Sequence, residues 1–211
     1  MKKLIIIFAL LICYNVNAQW SAAAIKLGSF APGASDAGFI IGYEGGRYID
    51  NNFNFGWGID WFHKKFVDKT LVQSFNEIYG IQGGINELRA STNLHDIPLM
   101  ITVTLKQPIS RRAKVYFTGG IGAEVLIIDY RNFENPNESE LKGAFDFNWR
   151  VGLGAAYNIG PRSELLIELN YHQSEPSWTY EVDVEPFGKR VFERVYDMSG
   201  LMIRAGFRFF Y

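Results

Sequence analysis

The sequence predicts an all-β fold, an eight-stranded antiparallel up-and-down transmembrane β-barrel with long outer loops, preceded by a signal peptide. Three features point to it. Eight segments alternate apolar and polar residues with a period of two, the pattern of strands with one apolar face. The connections between them alternate in length, short at one end and mostly long and polar at the other. The last segment, Ser199 to Tyr211, is apolar at every second position back from its aromatic end: Tyr211, Phe209, Phe207, Ala205, Ile203 and Leu201.

Composition agrees. In 211 residues, enough for one domain, 17 Phe, 11 Tyr, 5 Trp and 21 Gly suit strands and tight turns better than a helical bundle. A net charge of −1 gives no bulk field to attract nucleic acid, so none is expected as a partner. Residues 1–18 read as the signal peptide: Lys2 and Lys3, an apolar run from Leu4 to Cys13, then Val16-Asn17-Ala18 at the cleavage positions. Residues 19–211 are then the barrel domain. Cys13 is the single cysteine, so the mature chain has no disulfide and must be stabilised otherwise, as by a closed sheet. A lipoprotein reading through Cys13 ranks far behind, because Ile12 is a poor residue before a lipidated cysteine. Beyond the leader no apolar run approaches the ~20 residues of a membrane helix.

Ser21 to Phe30 alternates weakly and breaks at Pro32-Gly33. Ala37 to Tyr48 follows, then a turn at Asp50-Asn51-Asn52. Phe53 to Trp61 alternates most cleanly, Phe53, Phe55, Trp57, Ile59 and Trp61 against Asn54, Gly56, Gly58 and Asp60. A polar stretch from Lys64 to Asp96 interrupts, with room for a short helix over Leu71 to Tyr79. Ile97 to Lys106 resumes, with Pro98 near its start where proline is best tolerated. Val115 to Ile127, Phe145 to Tyr157 and Leu165 to Tyr171 follow, separated by a turn at Gln107–Arg112, an acidic loop at Arg131–Gly143 and a turn at Asn158–Arg162. Trp178 to Tyr196 reads as a hairpin extension before the closing strand.

Alternation alone does not tell a lipid-facing apolar set from a dry core. An eight-stranded barrel is just wide enough to be filled by side chains, and Phe53, Phe55, Trp57, Trp61, Phe145, Phe147 and Trp149 are too bulky for that space. The other set is rich in Gly and Ala, and its charges nearly balance. Its positives are Lys26, Lys106, Arg150, Arg204 and Arg208; its negatives are Glu44, Asp60, Glu124, Asp146, Glu164 and Glu168. These are expected to pair as a lumen charge network, since unpaired buried charges cost several kcal/mol. The lipid-facing and girdle set is then Phe39, Phe55, Trp57, Trp61, Phe145 and Trp149, with Tyr157, Tyr171, Phe207, Phe209 and Tyr211. Trp20 and Tyr48 are expected to join the girdle at the turn end.

With the leader ending Asn17-Ala18-Gln19, the strand opening Ile97-Pro98-Leu99, the glycine-rich VGLGAAYNIG from Val151 and the terminal FRFFY, the chain resembles the small outer-membrane β-barrel family, the OmpA-like transmembrane domains and PorT-like barrels. That resemblance implies an integral outer-membrane protein, and the even strand count is expected to put both termini in the periplasm. That family contains structural, adhesive and secretion-associated members and a few enzymes, so the resemblance does not assign an activity. The expectation is a structural or loop-mediated binding role without enzymatic activity, and a lumen plugged by its charged residues rather than a wide pore. Its partners would be outer-membrane lipid, lipopolysaccharide and, through the C-terminal strand, the barrel-insertion machinery. Two alternatives remain. His172-Gln173-Ser174 resembles the His-x-Ser of lipid A deacylase barrels, with Glu175 nearby to orient the imidazole. Glu175, however, stands where that family carries Asn, and parity sends His172 and Ser174 to the lumen. The other is a soluble periplasmic lipocalin-like ligand-binding barrel, with the apolar set inside. No cofactor is expected. With three histidines, no metal site is expected either, even if His63 and His95 lie close together.

Overall fold

The computed structural model describes residues 20–50, 52–67, 91–131, 139–184 and 188–211. The expected signal peptide, the expected helix over Leu71 to Tyr79 and most of the acidic loop lie outside these residues.

Ten strands are present among the described residues: β1 (Trp20–Pro32), β2 (Gly38–Tyr48), β3 (Phe53–Val67), β4 (Ser91–Pro108), β5 (Ala113–Arg131), β6 (Ser139–Gly160), β7 (Ser163–Gln173), β8 (Ser177–Val184), β9 (Gly188–Val195) and β10 (Gly200–Phe210). Eight of them, β1 to β7 and β10, pair antiparallel with their neighbours, and β1 meets β10 to close the barrel. Closure pairs the outermost barrel strands with each other, which a sheet lying in hydrocarbon requires because no water is there to satisfy a free edge. At the seam Lys26 stands opposite Gly206 and Ile25 opposite Phe207. The backbones of Ser21 and Tyr211 also exchange two hydrogen bonds, at 3.1 and 2.9 Å. The hairpin β8–β9 branches from the barrel through Phe145 opposite Ser177.

Strand lengths divide the barrel into two ends. β2, β7 and β10 have 11 residues, about one membrane crossing. β4, β5 and β6 have 18, 19 and 22 residues and project at the end away from the chain termini. Several expected boundaries move accordingly. β3 continues to Val67 and β4 already begins at Ser91, so both flanks of the polar stretch are strand. Arg131 and Ser139 to Gly143 belong to β5 and β6 rather than to a loop. The polar residues there obscured the period, but ladder hydrogen bonds do not require an apolar face. Pro98 lies well inside β4, not at its start. It pairs with Glu124 of β5, while the β3 ladder runs from Ile59–Leu99 to Phe62–Asp96 without the two positions between. The missing proline N–H falls in that gap.

The apolar set faces out. Trp57 and Phe39 are each 52% exposed and Ile121 57%, and Phe55, Trp61, Phe145, Trp149, Tyr157, Tyr171, Phe207, Phe209 and Tyr211 stand on the same outer surface. A soluble lipocalin-like barrel needs this set inside, so that alternative is overturned. Tyr48 corrects the expected girdle: it is 4% exposed and points into the lumen, where its ring lies 5.5 Å from that of Phe210. It shares the parity of Glu44, so the period governs its direction and its residue type does not.

Candidate functional site

Polar side chains from all eight barrel strands converge in the lumen. It has two levels. At the level nearer the termini, β1, β2, β3, β7 and β10 aim Lys26, Glu44, Asp60, Glu168 and Arg204 at one another, because all five occupy inward positions of their strands. Arg204, 1% exposed, is the hub. Its Nη1 donates to Asp60 Oδ1 at 2.5 Å, its Nη2 to Glu168 Oε1 at 2.5 Å and to Glu44 Oε1 at 3.1 Å. Asp60 Oδ2 takes a second guanidinium, from Arg150 Nη1, at 2.6 Å. Glu168 is saturated: Lys26 Nζ at 2.7 Å and Tyr116 Oη at 2.9 Å donate to Oε2, and Asn170 Nδ2 at 2.9 Å joins Arg204 on Oε1. Lys26 also reaches Glu44 at 2.5 Å. Burying ions is tolerable only with this degree of mutual satisfaction.

Closer to the turn end, Glu164 gathers three cations: Lys106 at 2.9 Å, Lys114 at 2.8 Å and Arg208 at 3.2 Å. Lys106 Nζ lies 4.4 Å from the centre of the Tyr48 ring, a cation–π contact. Glycines leave the space for these groups. A Cβ on Gly42 would overlap the Asp60 carboxylate, and one on Gly154 the Tyr116 ring.

The second level lies towards the projecting strands. Phe30, Ile40, Phe62, Leu94, Leu126, Ile128, Met198 and Met202 form a buried apolar cluster across the barrel mouth. Met198 comes from the segment after β9, and its N–H donates to the Ser174 carbonyl at 3.0 Å. Beneath it, Phe30 packs edge-on against the His172 ring, with centroids 5.7 Å apart. His172 Nε2 lies 2.6 Å from Glu124 Oε2, and Asp96 completes a fully buried trio with them.

The structure thus brings together most of the charges singled out in the sequence, and separates others. Asp146 is not in the network. Its carboxylate accepts the Glu175 N–H at 2.7 Å, and it has no cationic partner among the described residues. Its parity is inward, and on the β5–β6 ladder it stands opposite Glu124, away from the Arg204 ion pairs. Glu124 is buried yet paired with His172 and Asn148, not with Lys or Arg. The His172, Ser174 and Glu175 constellation does not assemble as a lipid-surface triad. His172 and Ser174 are buried inside the barrel, and Glu175 is exposed, so the carboxylate beside His172 is Glu124. Tyr116, Asn148 and Asn170 fall in the inward set of their strands and lie in the lumen, whereas Lys114 and Asp96 are lumen residues that the sequence pattern did not reveal. Lys114 preceded the expected strand by one position, and Asp96 was assigned to the polar interruption. The parity of a longer strand would have found both.

His63 and His95 face each other across β3 and β4 on the outer wall, their rings 4.5 Å apart, with Trp61 donating to His95 Nδ1 at 3.3 Å.

The comparisons with known proteins agree with this geometry. The outer membrane protein β-barrel domain model matches residues 12–209. The chain belongs to that family. Among solved structures, this outer-membrane barrel is similar to OprG from Pseudomonas aeruginosa, with a TM-score of 0.59 and 10% identity over 91% of this chain and 96% of that one. It is also similar to a major outer membrane protein from Thermus thermophilus, with a TM-score of 0.58 and 13% identity over 90% and 99% of the two chains. Neisserial surface protein A gives a TM-score of 0.52 and 10% identity over 90% and 95%. At these identities the likeness is one of fold. No curated protein sequence matches the chain significantly. The protein is an integral β-barrel of the outer membrane, with its apolar residues on the outer wall.

Proposed function

We propose that this barrel is plugged and non-conducting, and that it serves a structural role or presents a binding surface at its projecting end. The observation that carries the reading is the double filling of the lumen, a salt-bridged level and an apolar level in series. A continuous water path across the membrane would have to pass Arg204, 1% exposed, and then Phe62, fully buried. The shortness of the β2–β3, β4–β5 and β6–β7 turns, against the long arms of β4, β5 and β6, supports periplasmic termini and an outward-facing projecting end. Residues 1–18 would be removed as the signal peptide. Outer-membrane lipid and lipopolysaccharide would contact the aromatic wall, and the insertion machinery would read β10. Within the family, the OmpA-like and PorT-like barrels are the subgroup we favour. No catalytic step is assigned to His172 or Ser174.

Reconstitution into planar bilayers tests the reading. We expect no steady conductance steps in concentrated salt, whereas a porin-like current from the folded, heat-modifiable protein would refute the plug. Protease accessibility in whole cells tests the orientation: tags in the β2–β3 turn should be protected and tags in the β8–β9 hairpin cleaved.

A further inference from the structure

The trio beneath the apolar mouth is built unlike the network below it. In the lower network each carboxylate oxygen accepts from at least one cation or hydroxyl, Glu44 Oε2 apart, and most are short contacts. In the trio, both oxygens of Asp96 and Oε1 of Glu124 accept no hydrogen bond from the described residues, although both residues are fully buried. Asn148, also fully buried, turns its amide to the trio, with Nδ2 3.4 Å from Glu124 Oε2, and its Oδ1 is likewise unpartnered. Ser174 Oγ and His172 Nδ1 are two more buried polar atoms in the same state. Leaving such groups unsatisfied in a dry interior is costly.

We propose that Asp96, Glu124 and His172 form a binding site for a divalent first-row transition-metal ion inside the barrel, with the amide oxygen of Asn148, brought round by a flip of the side-chain amide, as a fourth donor. The trio's ligand atoms all lie within 4.8 Å of one another. Two ligands at about 2.1 Å on a tetrahedral ion are separated by about 3.4 Å, so small side-chain shifts complete the shell. Two carboxylates, an imidazole and an amide oxygen are the donor set of Zn²⁺, Mn²⁺, Fe²⁺ or Co²⁺ rather than of a soft ion. Formal charge does not by itself demand the ion. Lys26, Lys106, Lys114, Arg150, Arg204 and Arg208 balance Glu44, Asp60, Glu164, Glu168, Asp96 and Glu124 over the whole lumen. What the lower cations do not supply, among the described residues, is a hydrogen bond to the orphaned oxygens. The site would cross-link β4, β5, β6 and β7, and the apolar mouth above it would make release slow.

The test is metal content of the folded full-length barrel. Protein refolded into detergent with Zn²⁺ or Co²⁺, then passed through a chelating wash, should retain about one ion per chain by mass spectrometry, and the Co²⁺ form should show visible ligand-field bands. Asp96→Asn and Glu124→Gln keep the shape and should lower retention at least tenfold while heat-modifiable migration persists. A His63→Ala/His95→Ala variant should retain metal like the wild type, which separates the interior site from the outer histidine pair. Wild-type barrel that folds yet retains no ion, the behaviour of two carboxylates sharing a proton beside Arg150, would overturn the proposal. So would retention unchanged in Asp96→Asn and Glu124→Gln. If both variants fail to fold, the wild-type content and Co²⁺ spectrum alone decide.

Discussion

The two levels of the lumen solve the same problem by opposite means. The level nearer the termini is filled with ions that satisfy one another; the level at the mouth is filled with Phe, Ile, Leu and Met. The difference lies in what each level must resist. A charged plug is rigid and directional, and it tolerates neighbouring water. An apolar plug excludes water but sets no register. Between them lies the carboxylate–imidazole trio, which belongs to neither type. The lower level therefore depends on complete pairing and the upper on volume, so the same kind of substitution should act differently in each.

The largest effect should come from the hub. Arg204→Leu leaves Asp60, Glu44 and Glu168 without their shared guanidinium, and should cost about 3–5 kcal/mol. Urea unfolding in lipid vesicles, followed by the gel shift of unboiled samples, measures it. An unchanged midpoint would mean that the lower level is filled but not held by its ions. Next is Met202→Ala in the apolar level, where Met202 is fully buried. A cavity there should cost about 2–3 kcal/mol, the lower part of the range for such truncations, because the flexible Met198 can relax into it. A loss larger than that of Arg204→Leu would reverse the ranking of the two levels. The smallest effect should come from Lys114→Ala. Its side chain is 27% exposed and Glu164 keeps Lys106 and Arg208, so the loss should stay below about 1 kcal/mol and vanish at about 1 M salt. The Arg204→Leu loss, being dry, should persist at that salt.

Much of the fold was legible because a strand has only two faces. Once the alternation of Phe53 to Trp61 was read, Asp60 and Trp57 had to point opposite ways, and the bulk of the aromatic set left only one arrangement for a barrel of this width. Where the reading departed from that rule it failed: Tyr48 was placed by residue type, and it lies in the lumen. Elsewhere the period was simply hidden. Polar residues on both faces masked the ends of β3, β4 and β6, which project beyond the membrane-crossing length.

The sequence by itself determined the sorting of side chains between wall and lumen, since that follows from a backbone period fixed by covalent geometry. Only the tertiary structure decided which inward groups meet. Lys26 and Glu168 are 142 positions apart and Arg204 and Asp60 are 144 apart, and nothing local links either pair. Their contact depends on closure and on strand stagger, which set the height of every residue along the barrel axis. The same heights leave Asp146 opposite Glu124 and away from the Arg204 ion pairs, and bring Asp96, Glu124 and His172 to one point. Parity is a local property of the chain; height is a property of the closed sheet.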